Sequence, residues 1–93
     1  MRGIEKKLFR VNDEIARLRR EVELAEGELN MHRHLADDAE RDAAVYEGID
    51  RAESRAASKD VAALERALDR GRRDLERAEV RRLDLLQRLD VDR

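Results

Sequence analysis

The sequence predicts an all-α protein, a long antiparallel coiled-coil helical hairpin. Three observations support this fold class. Apolar residues recur at alternating spacings of four and three from Ile4 to Tyr46, which is a mean of 3.5 residues and keeps one seam facing a partner helix. The 93-residue chain has no proline, and charged residues make up 47% of it. The seam register then fails after Tyr46 and starts again at Ala57, as expected where a chain turns back.

The first helix is predicted at about residues 3–47. The seam side chains are mostly large in the first half of this helix and mostly small in the second. The seam comprises Ile4, Leu8, Val11, Ile15, Leu18, Val22, Ala25, Leu29, His32, Ala36, Ala39, Ala43 and Tyr46. A glycine inside a helix costs about 1 kcal/mol relative to alanine. Gly27 therefore weakens the pattern, and the polar residues near Asn30 weaken it further. A three-helix bundle with a break near Asn30 stays open as the alternative fold.

The turn is predicted at about residues 48–57. Continuing the first register would place Asp50 and Glu53 in the seam, where burial of a carboxylate is expensive. Gly48 is a candidate C-cap, and Ser54 or Ser58 a candidate N-cap. A second helix then follows at about residues 58–91, and residues 1–93 form a single helical coiled-coil domain. The seam of the second helix comprises Ala57, Val61, Leu64, Leu68, Gly71, Leu75, Ala78, Arg82, Leu85 and Leu89.

Apolar residues outside the seam indicate self-association. A lone pair of helices buries little apolar surface, so small chains of this kind usually need additional packing. The extra apolar residues lie mostly near the two ends of the chain, which an antiparallel hairpin brings together. We therefore expect two hairpins to dock as a homodimer into a four-helix bundle. The candidate partner or dimer interface comprises Leu8, Phe9, Val11, Ile15, Leu83, Leu86 and Leu89.

The middle of the chain is acidic. Residues 35–60 carry four basic and eight acidic side chains. The hairpin fold would gather these carboxylates at an acidic tip, comprising Asp37, Asp38, Asp42, Glu47, Asp50 and Glu53. One interpretation is a surface that binds a basic partner or a cation. The other is that repulsion keeps the tips soluble and apart, and the sequence leaves both open.

The sequence offers no candidate catalytic, cofactor-binding or metal-ligating set. His32 and His34 are two residues apart, so they point to different sides of a helix and cannot hold one metal together. His34 and Asp38 share a face, but two ligands do not complete a site. The four glycines are scattered and form no phosphate-binding loop. We therefore expect no enzyme activity and no cofactor.

The leading functional hypothesis is a non-enzymatic protein that acts through protein–protein interaction, as a scaffold or as a regulatory coiled coil. Such a protein could present its acidic tip to the partner. The alternative is a nucleic-acid-associated protein that uses the arginine-rich part of the second helix. A net charge of −2 and only 2% aromatic residues argue against that alternative. The charged N-terminus and the lack of a long apolar run predict a cytoplasmic protein, and the excess of arginine over lysine suggests a bacterial one.

Overall fold

A computed structural model of the chain describes residues 2–45 and 51–91, with side chains from residue 3 onward. The described part is all-helical, and the two helices form a hairpin: α1 spans Arg2–Val45 and α2 spans Arg51–Val91. Their pairing is antiparallel, since Asn12 lies against Arg82 whereas Arg33 lies against Glu65. The predicted fold class is confirmed to this extent. Gly48 and Tyr46 lie outside the described residues.

Helix α1 is continuous through Asn30, so the three-helix alternative is wrong. The predicted turn is also wrong over residues 51–57, because α2 begins at Arg51 rather than near residue 58. The failed register marks the end of one seam, and a helix needs no seam to continue through good helix formers such as Ala52 and Ala56. Glu53 lies in the first turn of α2, where a carboxylate interacts favourably with the helix dipole.

Ser54 and Ser58 both lie inside α2 and are therefore not its N-cap. Ser54 is half-buried, three residues before Ala57. It extends the second seam backward by one position. The start of that seam was thus predicted three residues late, because a serine was not expected at a seam position.

The seam itself is confirmed. Every predicted seam residue of α1 from Ile4 to Ala43 is buried or half-buried, and so is every predicted seam residue of α2 except Arg82. We label the seam positions a and d of the heptad abcdefg, so that Leu8 is a and Val11 is d on α1. On α2, Val61 is a and Leu64 is d. Positions b and e then follow the seam by one residue, and positions c and g precede it by one.

The chain divides into two compact units, each built from part of both helices. Unit 1 comprises Met1–Val22 and Arg70–Arg93, and unit 2 comprises Glu23–Asp69. Unit 1 contains an apolar core of Val11, Ile15, Leu18, Ala78 and Leu85, against which Ile4, Leu8 and Leu75 pack. In unit 2 the fully buried apolar residues are Leu29 and Leu68, and the remaining seam residues of its described part are mostly half-buried alanines.

Candidate functional site

The predicted dimer interface divides into two groups in unit 1. Leu8, Val11, Ile15 and Leu89 are seam residues, so their apolar surface packs largely within the hairpin itself. Phe9, Leu83 and Leu86 lie at b and e positions instead. Phe9 is 71% exposed and Leu83 is 57% exposed, whereas Leu86 is half-buried. Phe9 and Leu83 are therefore the residues of the predicted interface that remain mostly exposed on a single chain, whereas Leu86 is half-buried like Leu8 and Leu89.

The two flanks of the seam in unit 1 differ in chemistry. One groove lies at b and e positions and contains Ala16 and Leu83 beside the seam residue Ile15. Its lining also includes the polar residues Asn12, Arg19, Glu79 and Arg82. Together with Phe9 and Leu86, Ala16 and Leu83 form what we call the apolar face of unit 1. The other groove, lined at c and g positions, is charged and is lined by Lys7, Arg10, Glu14, Arg81, Asp84 and Arg88 beside the seam residues. The exposed apolar side chains of the first flank offer a surface on which an apolar helix could dock.

Polar side chains pair across unit 1 on both flanks of the seam. The Arg82 Nε donates a hydrogen bond to the Asn12 Oδ1 at 2.9 Å, which explains why Arg82 occupies a seam position yet stays exposed. Arg19 pairs with Glu79 at 3.5 Å on the same flank. On the charged flank Arg81 pairs with Glu14 at 3.2 Å. These exposed pairs contribute little stability, roughly 0–1 kcal/mol each, but they orient the side chains around the groove.

The predicted acidic tip falls in unit 2. Asp37, Asp38, Asp42 and Glu53 are all exposed, and Asp38 accepts a hydrogen bond from Arg41 at 2.6 Å on the same helix. Glu47 and Asp50 lie outside the described residues. No group of three or more metal-ligating side chains occurs within residues 2–45 and 51–91. Nothing in the described part of the chain therefore favours a metal ion at these carboxylates.

Charge is unevenly shared between the units. Unit 1 carries 15 basic and 10 acidic side chains, and unit 2 carries 6 basic and 13 acidic ones. The acidic character thus extends well beyond the predicted tip. Of the arginine cluster on α2, Arg77 pairs with Asp74 and Arg81 with Glu14, so part of its charge is neutralised locally. Nucleic-acid binding by this cluster stays a prediction.

Sequence reasoning missed an apolar line in unit 2. Leu24, Met31, Leu35 and Val45 lie at c and g positions of α1, and each is 54–71% exposed. The signal was available, since the positions one residue before the seam (24, 28, 31, 35, 38, 42 and 45) repeat the same four-three spacing. They carry only apolar and acidic residues. The seam of α1 is the stronger pattern, because it is entirely apolar apart from His32.

Comparison with known proteins adds no assignment: no family model, curated protein or solved structure matches the chain. The structure defines the class, an all-α helical hairpin. Within the described residues, neither helix is apolar over a stretch long enough to cross a membrane.

Proposed function

We propose that this chain is a non-enzymatic protein-interaction module that acts through contacts between helices. The observation that carries this proposal is the set of large apolar side chains left exposed on both helices, in a chain whose fully buried core is itself small. Exposed apolar residues aligned on one helix face are typical of surfaces that bind another helix. The grooves beside the seam are open surfaces between two helices.

The first contact in this proposal is a homodimer through the apolar face of unit 1. Phe9 and Leu83 are the exposed anchors, and the small side chain of Ala16, which lines the same groove as Leu83, allows close approach of a second copy. Two hairpins joined in this way form a four-helix bundle about a two-fold axis, in which each copy uses the same surface. Docking would remove from water the aromatic and aliphatic surface that one hairpin cannot cover.

Sedimentation equilibrium at micromolar concentration tests the homodimer. We expect the wild-type mass to be twice that of the chain and the double variant Phe9→Ser/Leu83→Ser to be monomeric, with association weakened at least about tenfold. Val91→Ser is the matched control, because Val91 is exposed at a c position of the charged flank. A monomeric wild type would refute the homodimer, and a dimeric double variant would refute this face.

A further inference from the structure

We propose that the c/g flank of unit 2 binds an amphipathic helix with basic flanks that belongs to a different protein. This inference deepens the proposed function, since it names a partner class for a second surface. It rests on the interaction role and is independent of the homodimer. In unit 2, the c and g positions of α1 from 24 to 45 carry only exposed apolar and acidic side chains.

On α1, this flank contains the apolar line described above. Leu24, Met31, Leu35 and Val45 are each more than half exposed. Together with the positions between them, these residues follow the same four-three spacing as the seam. They therefore lie on one line beside it, as contact with a straight partner helix requires. Nothing in the described part of the chain covers them. An apolar line of this regularity on a small, highly charged protein predicts a helical occupant.

The remaining positions on the same line are acidic. Glu28, Asp38 and Asp42 occupy these positions, and no basic residue occurs at any c or g position from 24 to 45. Arg41, at an f position outside this line, pairs with Asp38 at 2.6 Å. In coiled coils, charges beside the apolar contacts select the partner and its orientation. Carboxylates in this arrangement favour lysine and arginine on the incoming helix and repel an acidic one.

Helix α2 repeats the pattern on the same flank. Its c and g positions from 53 to 67 carry Glu53, Ala56, Asp60, Ala63 and Ala67, all exposed. The alanines leave room for the larger side chains of a partner helix to pack beside the seam, and no basic residue occurs at a c or g position of α2 from 53 to 67. Both helices of unit 2 therefore present the same combination of apolar and acidic groups.

The opposite flank of unit 2 differs, because it carries both signs of charge. Its groove is lined at b and e positions by Arg33, Asp37, Glu40 and Ser58. Arg33 pairs there with Glu65 at 3.6 Å, so opposite charges are already matched across the hairpin. Mixed and paired charges of this kind are typical of a solvated surface. The c/g flank instead has one sign of charge only, together with all the large exposed apolar residues of unit 2 that the structure describes.

Fluorescence anisotropy with a labelled synthetic peptide tests the proposal on the full-length protein. The peptide spans about three heptads, with leucine on one face and lysine on both sides of it. Two control peptides replace either the lysines by glutamate or the leucines by serine. We expect the basic leucine peptide to bind at least about tenfold more tightly than either control, because both apolar contact and charge are needed.

Three variants locate the site. Met31→Ser/Leu35→Ser should weaken binding at least about tenfold. Glu28→Lys/Asp60→Lys should remove the preference for the basic peptide and favour the glutamate one. Glu23→Lys/Glu40→Lys makes the same change in net charge at b and e positions, and should alter affinity less than about threefold. Circular dichroism checks that each variant keeps the helical content of the wild type.

Three outcomes would overturn the inference. The first is binding that Met31→Ser/Leu35→Ser leaves unchanged, or no binding at all. The second is an equal effect of the two charge reversals, which would indicate attraction by bulk charge alone. The third is a shift of Met31→Ser/Leu35→Ser from dimer to monomer in sedimentation, which would assign the flank to a second copy. The homodimer is judged separately from the wild-type mass, so the two proposals can fail independently.

Discussion

Units 1 and 2 are built from the same two helices with the same seam periodicity, yet they differ in what that seam buries. In unit 1 most seam positions carry branched aliphatic side chains, and five buried residues form one core. In the described part of unit 2 alanine is the commonest seam residue, and every seam position except Leu29 and Leu68 is only half-buried. The difference teaches that heptad spacing decides whether helices pair, whereas the volume at each seam position decides how much the pairing stabilises.

The units also differ in what they leave exposed. Unit 1 has an excess of basic side chains, with its apolar face on the b/e flank. Unit 2 has an excess of acidic ones, with its apolar line on the c/g flank. The better-packed unit is the natural place for self-association, and the acidic unit is the natural place for a basic partner. The following substitutions test this comparison.

The largest effect is expected from a charge in the core of unit 1. Leu18→Asp buries a carboxylate at a position that is 5% exposed, where no cation is available to pair with it. The cost is at least about 3 kcal/mol, which is most of the stability of so small a chain. We expect loss of helical circular dichroism at room temperature. The control Leu24→Asp, on the exposed line of unit 2, should remain folded, and equal tolerance of both changes would refute the seam.

A middle-sized effect is expected from overpacking the seam. Ala78 is 0% exposed, so Ala78→Leu forces its neighbours apart and should cost about 1–3 kcal/mol. Ala36→Leu makes the same change at a half-buried seam position of unit 2, where the side chain has space toward solvent, and should cost less than half as much. Thermal denaturation of the two variants compares them directly. Similar losses would mean that the two units are packed equally tightly.

The smallest effect is expected at the glycines. An alanine Cβ at Gly27 in unit 2 meets no atom within 4 Å, so Gly27→Ala should stabilise the chain by about 0.5–1 kcal/mol through helix propensity alone. At Gly71 in unit 1 the added Cβ lies 3.4 Å from the Val22 Cγ2, so Gly71→Ala should gain less. Urea denaturation measures both. A larger gain at Gly71 than at Gly27 would contradict the tighter packing of unit 1.

The sequence was sufficient to predict the two helices and the seam, because a period of 3.5 can be counted without knowing any contact. It was insufficient at the start of α2, since the carboxylates after Tyr46 end the seam and carry no information about where the helix itself begins. It also assigned Val11 and Ile15 to a partner interface, whereas both lie in the core of the hairpin. Periodicity identifies a buried line but does not say which chain covers it.

The acidic tip illustrates a second limit. Counting carboxylates along the chain located an acidic segment, but the side of the helix on which each carboxylate lies depends on register rather than on local composition. Asp37 and Asp38 are neighbours in sequence, yet they lie on opposite flanks of the seam, one beside Arg33 and the other beside Leu35. Sorting the carboxylates by whether they precede or follow a seam residue separates a mixed surface from a uniformly acidic one.

The close approach of Val22 to Gly71 has a consequence for how the two helices find their alignment. The described residues contain no buried polar side chain that could fix the alignment by hydrogen bonding. A slide of one heptad along α2 would bring Leu64 or Ala78 opposite Val22 in place of Gly71. An alanine Cβ there would lie 3.4 Å from the Val22 Cγ2, which is an ordinary contact, whereas the Leu64 side chain is far larger than this space. The slide that brings Leu64 opposite Val22 is therefore disfavoured by steric exclusion, and a bulky residue at position 71 would remove this preference for the observed alignment.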